Sequence, residues 1–269
     1  MSELSAPGRT PLLSVILPCF RAAGVAKESV TAIGAFLSNA SFEWEVVVVD
    51  DGGHDFPGSA LPTDSHVTLV QLQQNRGKGA AVRAGMASAR GAVRIFTDVD
   101  LPFGVRAFPM IMEYILTYGF HLVIGDRTMP QSRYRLEIPR MRRAASAIFS
   151  TFVGRIVTGG YYDTQCGLKG VRGDVADAIF PLLRVDGFAF DVELIYLALK
   201  SKADIKRIPV VLETNTSSSV RLFRDGCHGC VDIARIKLNE AAGRYASKEL
   251  SLLLASDIHA NAARAAQRW

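Results

Sequence analysis

The chain has 269 residues, 49% hydrophobic and 21% charged, with 31 Lys and Arg against 26 Asp and Glu for a net charge of +5. That length can bury the core of one α/β domain or of two small ones, and the composition excludes wholesale disorder. A membrane-spanning helix needs roughly 20 mostly apolar residues, and the longest candidate, Ile148 to Tyr162, is broken by Arg155 and by Gly159-Gly160.

In chain order, Leu12–Pro18 reads as a short apolar strand and Ala26–Leu37 as a helix. Glu43–Val49 is rich in β-branched residues and stops at Asp50-Asp51-Gly52-Gly53, a turn composition. Val67–Leu72 is a third strand, Gly79–Ala89 a helix of small residues with Gly91 as its C-terminal cap, and Val93–Thr97 a strand that runs into Asp98-Val99-Asp100. A helix near Val105–Thr117 and a strand at His121–Gly125 complete an alternation that argues for a parallel sheet covered on both faces. Met129–Arg143 reads as a basic, proline-containing loop before an amphipathic helix from Arg140 to Val157. Asp163–Gly173 is punctuated, and helices follow at Asp174–Leu183 and Phe188–Lys200, with a strand at Ile205–Leu212. Thr214–Val220 is a polar loop, and Val231–Tyr245 and Leu250–Arg264 read as helices. The expected organisation is a single domain over 1–225 with a helical extension, 226–269, packed on it.

Ligands of parallel α/β sheets bind beyond the carboxyl ends of the strands, where three polar clusters fall. Asp98 and Asp100 can both ligate one hard cation such as Mg²⁺ or Mn²⁺, with Pro102 turning the chain just beyond; two solvated loop acids have the same spacing. Asp50-Asp51-Gly52-Gly53 is either a plain turn or a carboxylate acceptor for nucleobase N–H groups beside bare backbone. Asn75-Arg76-Gly77-Lys78-Gly79 places glycines and a Lys at a helix N-terminus, a phosphate-binding arrangement, although a flexible connector has the same composition. Its spacing is not that of a Walker A loop.

Together with SVILPCF (Ser14–Phe20), VVVDDG (Val47–Gly52), FTDVDL (Phe96–Leu101), GDR (Gly125–Arg127), DTQCGLK (Asp163–Lys169) and FAFDVEL (Phe188–Leu194), these segments resemble the GT-A domain of glycosyltransferase family 2. Within it they resemble the polyprenyl-phosphate sugar transferases, and DTQCGLK favours the dolichyl-phosphate glucosyltransferase branch over the mannose synthases. The fold implied is α/β, a mainly parallel twisted sheet with helices on both faces. The activity implied is inverting, metal-dependent transfer of a hexose from a nucleotide sugar, UDP-glucose by preference with GDP-mannose as the alternative, to a polyprenyl phosphate. Transfer to a soluble or hydroxyl acceptor, or nucleotide-sugar binding without catalysis, are the competing readings.

The resemblance implies roles for individual residues. Asp50 and Asp51 would hold base and ribose, Arg76 and Lys78 the nucleotide portion, and Asp98 and Asp100 the cation, with Pro18, Phe20 and Val99 also lining the donor site. Arg127 would face the phosphates, and Arg133, Arg135, Gln165 and Lys169 the acceptor phosphate. Asp191 and Glu193 form an acidic pair on the acceptor side and are the candidates for a general base if the acceptor is a hydroxyl. The chain departs from the family in having Arg21-Ala22 after Phe20, where an Asn and a Glu are usual, and from the mannose synthases in having Pro102 two residues after the D-x-D, where they place a polar side chain.

Arg133, Arg135, Arg140, Arg142 and Arg143 precede an apolar stripe of Ile148, Phe149, Phe152, Val153 and Ile156. A core-facing helix with solvated arginines has this pattern, and so does an interfacial helix on an anionic leaflet; a lipid-phosphate acceptor selects the latter, a peripheral membrane contact. Cys227-His228-Gly229-Cys230 lacks the second ligand pair of a structural zinc site, and no nucleic-acid motif is present. Four cysteines and an N-terminus without an apolar signal core point to a reduced, cytoplasmic setting.

Overall fold

The computed structural model describes residues 10–56, 61, 65–134, 159–160, 163–213 and 222–266. The first half contains β1 (Leu13–Cys19), α1 (Ala23–Leu37), β2 (Trp44–Asp50), β3 (Val67–Gln71), α2 (Lys78–Ser88), β4 (Val93–Thr97), α3 (Phe108–Leu116) and β5 (Leu122–Asp126). Beyond it come β6 (Arg133–Tyr134), β7 (Leu168–Arg172), α4 (Gly173–Ile179), α5 (Phe190–Lys200), β8 (Ile205–Pro209), β9 (Val211–Leu212), α6 (Leu222–Ala241) and α7 (Lys248–Ala266).

Seven strands form one sheet in the order β3-β2-β1-β4-β7-β5-β8, and β6 pairs with β9 in a small second sheet. β1 is parallel to β2 and β4, β2 to β3, and β5 to β8, whereas β7 runs antiparallel between β4 and β5. The two faces of the sheet are sorted by strand alternation. Leu13, Val15, Leu17, Val46 and Val48 share a layer with α1 and α3, while Ile16, Val47 and Val49 share the other with α2 and α5, and with Ile233 of α6 and Leu254 of α7. Asp55 Oδ2 accepts the Ala23 N–H at 3.0 Å and so satisfies one exposed amide at the start of α1.

The mainly parallel α/β expectation holds, with four corrections. Asp163–Gly173 contains β7, a strand hidden because Leu-Lys-Gly-Val-Arg lacks a β-branched run and puts a charge where a core residue is expected. Gly91 does not cap α2: Ala89 ends that helix in an extended conformation, and the Gly91 N–H instead donates to Ser14 Oγ at 2.7 Å. The helix expected to reach Leu183 ends at Ile179 and tightens into a 3₁₀ turn at Phe180–Leu182, which contains Pro181. The strand expected over Ile205–Leu212 splits after Pro209, and the Val210 carbonyl accepts from Arg133 N at 3.0 Å, which transfers the chain to the small sheet. The division placed at 225/226 falls in the first turn of α6. The helix expected at Arg140–Val157 and the loop at Thr214–Val220 lie outside the described residues. Among the described residues no helix is long and apolar enough to cross a membrane.

Candidate active site

The antiparallel insertion of β7 gathers the site. Thr97 at the end of β4 pairs with Leu168 at the start of β7, and Ile124 near the end of β5 pairs with Lys169. The D-x-D segment, the DTQCGLK segment and the end of β5 therefore meet at one end of the central strands. The Asp98 N–H donates to the Gly167 carbonyl at 3.1 Å, and a Cβ at Gly167 would displace the Asp98 carboxylate. Leu101 holds φ of 46° as the chain turns away from the D-x-D, strain concentrated beside the motif.

The loops from β2 and β3 are tied together by carboxylates. Asp50 is fully buried, and its two oxygens accept the Gly53 N–H at 2.7 Å and the His54 N–H at 3.0 Å. Asp51, also buried, accepts Arg76 N–H at 2.8 Å and Gly77 N–H at 2.7 Å. Both were expected at the base and ribose; the contacts the structure displays are to the main chain, where they shape the turn and fasten the 75–79 loop. Gly77 takes φ of +108°, and a Cβ there would lie 2.7 Å from the Asp186 carbonyl oxygen, which makes glycine necessary on both counts.

Lys78, the first residue of α2, reaches from this loop to the D-x-D: its Nζ lies 2.6 Å from Asp98 Oδ1. Burial opposes the ammonium charge, but Asp98 and then Asp191 outweigh it and push the Lys78 pKa up to about 12. Beneath this pair lies a second one. Lys169 Nζ is completely buried and contacts Asp191 Oδ1 at 2.5 Å and the Cys166 carbonyl at 2.8 Å. Each lysine also meets an aromatic ring: Lys78 lies over Phe190 at 6.0 Å and Lys169 over Phe96 at 5.4 Å, with the ring centroids 5.7 Å apart. Lys169, expected at an acceptor phosphate, is thus sealed in the floor, a correction that follows from its place on a central strand. Burial, and then Asp163, push the Cys166 thiol up to about 12.

Glu193 does not accompany Asp191 at the site. It is fully buried and accepts Arg184 N–H at 2.9 Å, Val185 N–H at 2.8 Å and the Tyr245 hydroxyl at 2.5 Å. The helical spacing explains the divergence, because residues two apart on α5 point to different sides. Glu193 is therefore no candidate for a general base.

Arg127 is clamped by Asp163: Nε and Nη2 donate at 2.9 and 2.7 Å, and the Arg127 N–H donates at 2.6 Å. Burial works against the charge, but Asp163 raises the guanidinium pKa above its ordinary value, so the side chain is a fixed cation, with a third of its surface still open. Asp163 was part of a recognised segment yet not singled out, since nothing local marks it as the arginine's partner. Gln165 is exposed, as is Phe20, whose ring carries the Arg21 guanidinium at 5.1 Å. Pro18 is buried inside β1, Val99 and Asp100 are partly exposed, and Arg76 forms an exposed pair with Asp186 at 3.3 Å. Arg133 is exposed on β6, apart from the main sheet; Arg135, the further arginines and the side chains of Cys227, His228 and Cys230 lie outside the described residues.

Comparisons with known proteins give the family and the fold. Residues 14–180 match the model of glycosyl transferase family 2. A dolichyl-phosphate beta-glucosyltransferase of Dictyostelium discoideum is 29% identical over 251 residues, covering 88% of this chain and 77% of that protein. The Drosophila melanogaster protein of the same name is 32% identical over 217 residues, 74% of this chain and 66% of its own length. Among solved structures, glucosyl-3-phosphoglycerate synthase from Mycobacterium tuberculosis, in complex with Mn²⁺, UDP and glucosyl-3-phosphoglycerate, superposes with a TM-score of 0.62 at 18% identity over 87% of this chain and 80% of that one. Mannosyl-3-phosphoglycerate synthase from Rubrobacter xylanophilus gives 0.61 at 16% identity, over 88% and 77%. The fold is that of the GT-A glycosyltransferases.

Proposed function

The chain belongs to glycosyl transferase family 2 and is a glycosyltransferase; from that premise we propose that it transfers glucose from UDP-glucose to a polyprenyl phosphate, inverting the anomeric carbon. The observation that carries this reading is the 2.6 Å contact between Lys78 and Asp98. It joins a lysine at the start of α2, a cation for a diphosphate, to a carboxylate pair suited to a cation, the two halves of a nucleotide-diphosphate site.

Asp98 and Asp100 would hold Mg²⁺ or Mn²⁺, since both offer oxygen donors. Among the described residues no group of three or more His, Cys, Asp or Glu is arranged to hold a metal ion, so this pair stands without a third protein ligand among them. When bound, such an ion neutralises charge that develops on the departing nucleoside diphosphate. Lys78, turning from Asp98 to the diphosphate, adds a cation to the same charge, and Arg127, locked by Asp163, presents a fixed one to the phosphates. Because Arg127 is held in place before the donor arrives, little reorganisation of that cation accompanies charge development. The polyprenyl phosphate is ionised near neutral pH, so its oxygen attacks without a strong base. The structure supports that acceptor over a hydroxyl: Asp191 is 2% exposed and paired with Lys169, and Glu193 is saturated by donors.

The acceptor would be met at a bilayer surface, as a peripheral contact from the cytoplasmic side, with Arg133 and Arg135 near its phosphate and exposed Gln165 at the mouth. The relatives named dolichyl-phosphate beta-glucosyltransferase support this choice of acceptor. The test is a panel of UDP- and GDP-sugars assayed with Mn²⁺ or Mg²⁺ and a short polyprenyl phosphate. UDP-glucose is expected to give a β-linked glucosyl phosphate, and transfer that survives chelation by EDTA would refute the metal requirement.

A further inference from the structure

The 75–79 loop is gripped from two sides. On one side stand the Asp51 oxygens described above. On the other stand the main-chain carbonyls of Val185 and Asp186. The Ala80 N–H donates to the Asp186 carbonyl at 3.2 Å, the Arg83 guanidinium donates to the Val185 carbonyl at 2.7 Å, and the Gly77 α-carbon faces the Asp186 carbonyl across the close approach already noted. The 184–186 segment is irregular backbone, without a ladder of its own to keep its carbonyls aimed at the loop. Its N–H groups are held instead by Glu193, and Glu193 is held by Tyr245, which lies in the turn between α6 and α7. Tyr245 is itself buried, and Asn239 Nδ2 lies 3.4 Å from its hydroxyl.

We infer that Glu193 and Tyr245 are positioning residues for the donor site: they fix the 184–186 segment, which in turn sets the conformation of the Arg76–Lys78 loop that receives the diphosphate. A buried carboxylate that accepts three donors orients them far more rigidly than solvent would. The helical extension is then a working part of the donor site, although neither residue touches the ligand. This inference rests on the donor reading of the 75–79 loop given above.

The test measures UDP binding by calorimetry in the presence of Mn²⁺, together with steady-state transfer, on wild type, Tyr245→Phe, Glu193→Ala and Glu193→Gln. Tyr245→Phe removes only the hydroxyl and is expected to raise the UDP Kd and the donor KM about five-fold while kcat stays within about two-fold. Glu193→Ala is expected to show the larger shift in the same direction. Glu193→Gln can turn its carbonyl to the two N–H groups and its amide to the Tyr245 oxygen, so it is expected to recover most of the wild-type affinity. A donor Kd unchanged in Tyr245→Phe overturns the inference, as does a Glu193→Gln protein that binds UDP normally and loses kcat by orders of magnitude, the signature of a catalytic base. If Glu193→Ala does not fold, Tyr245→Phe decides the matter alone. A wild-type protein that binds no nucleoside diphosphate overturns the donor reading itself, and is distinguished by the absence of any reference affinity.

Discussion

Two lysine–aspartate pairs, Lys78 with Asp98 and Lys169 with Asp191, have opposite characters. At the mouth, Lys78 and Asp98 keep 14% and 38% of their side chains exposed; in the floor, Lys169 and Asp191 keep 0% and 2%. Chemically the pairs are identical, so burial alone separates them. A half-open pair can exchange partners when an anion or a cation arrives, because water and ligand replace what is lost. A sealed pair has nothing to exchange with, and removing one partner strands a charge in a medium that cannot solvate it.

This contrast can be broken most sharply at Asp98. Asp98→Ala is expected to lower transfer by a factor on the order of 100 or more while leaving the urea midpoint close to wild type, since the cation-binding carboxylate goes but little buried structure does. At the floor the outcome reverses: Lys169→Met is expected to cost about 3–5 kcal/mol in urea unfolding, because Asp191 is left uncompensated. The double variant Lys169→Met/Asp191→Leu is expected to recover most of that loss, and a double variant as unstable as the single one would contradict a simple pair.

Lys78→Met should fall between these, with donor KM raised about ten-fold and stability changed by no more than about 1 kcal/mol. The pH dependence follows from the direction of its shift. The Lys78 pKa is raised from 10.5 to about 12 in the folded protein, so its contribution is complete below the unfolded value and is lost only as pH rises through the folded one. Lys78 should therefore impose no loss of UDP affinity between about pH 7 and about pH 9, as titration calorimetry would show. The smallest effect concerns Cys19 and Cys166. Burial, with neighbouring carboxylates, pushes both thiols up to about 12, so peptide mapping after iodoacetamide treatment of the native protein at neutral pH should find both unmodified.

Much of this was legible in the chain. The alternation from Leu12 to Gly125 prescribes the strands and helices of the donor half, because buried parallel strands are near-continuous apolar runs and their helices are bounded by glycine and polar clusters. Asp98, Asp100, Lys78 and Arg127 were recognisable from their segments, and the structure places Lys78 on Asp98 as the spacing alone could not. Lys169 and Glu193 read as functional because they are charged residues inside family segments, whereas their burial depends on which strand or helix covers them. Asp163, Asp186 and Tyr245 carried no local signal, since their partners lie 36, 110 and 52 residues away.

What the sequence determined by itself was the list of parts: an alternating α/β chain, a carboxylate pair after β4, a glycine-rich cationic loop before α2. What only the tertiary structure decided was their convergence. β7, unremarkable as Leu-Lys-Gly-Val-Arg, enters antiparallel between β4 and β5 and carries Gly167 to Asp98, Asp163 to Arg127 and Lys169 beneath them both. Strand order and direction are set by the total burial of the sheet's two faces and not by any one strand's residues, which is why the pattern that named the parts could not assemble the site.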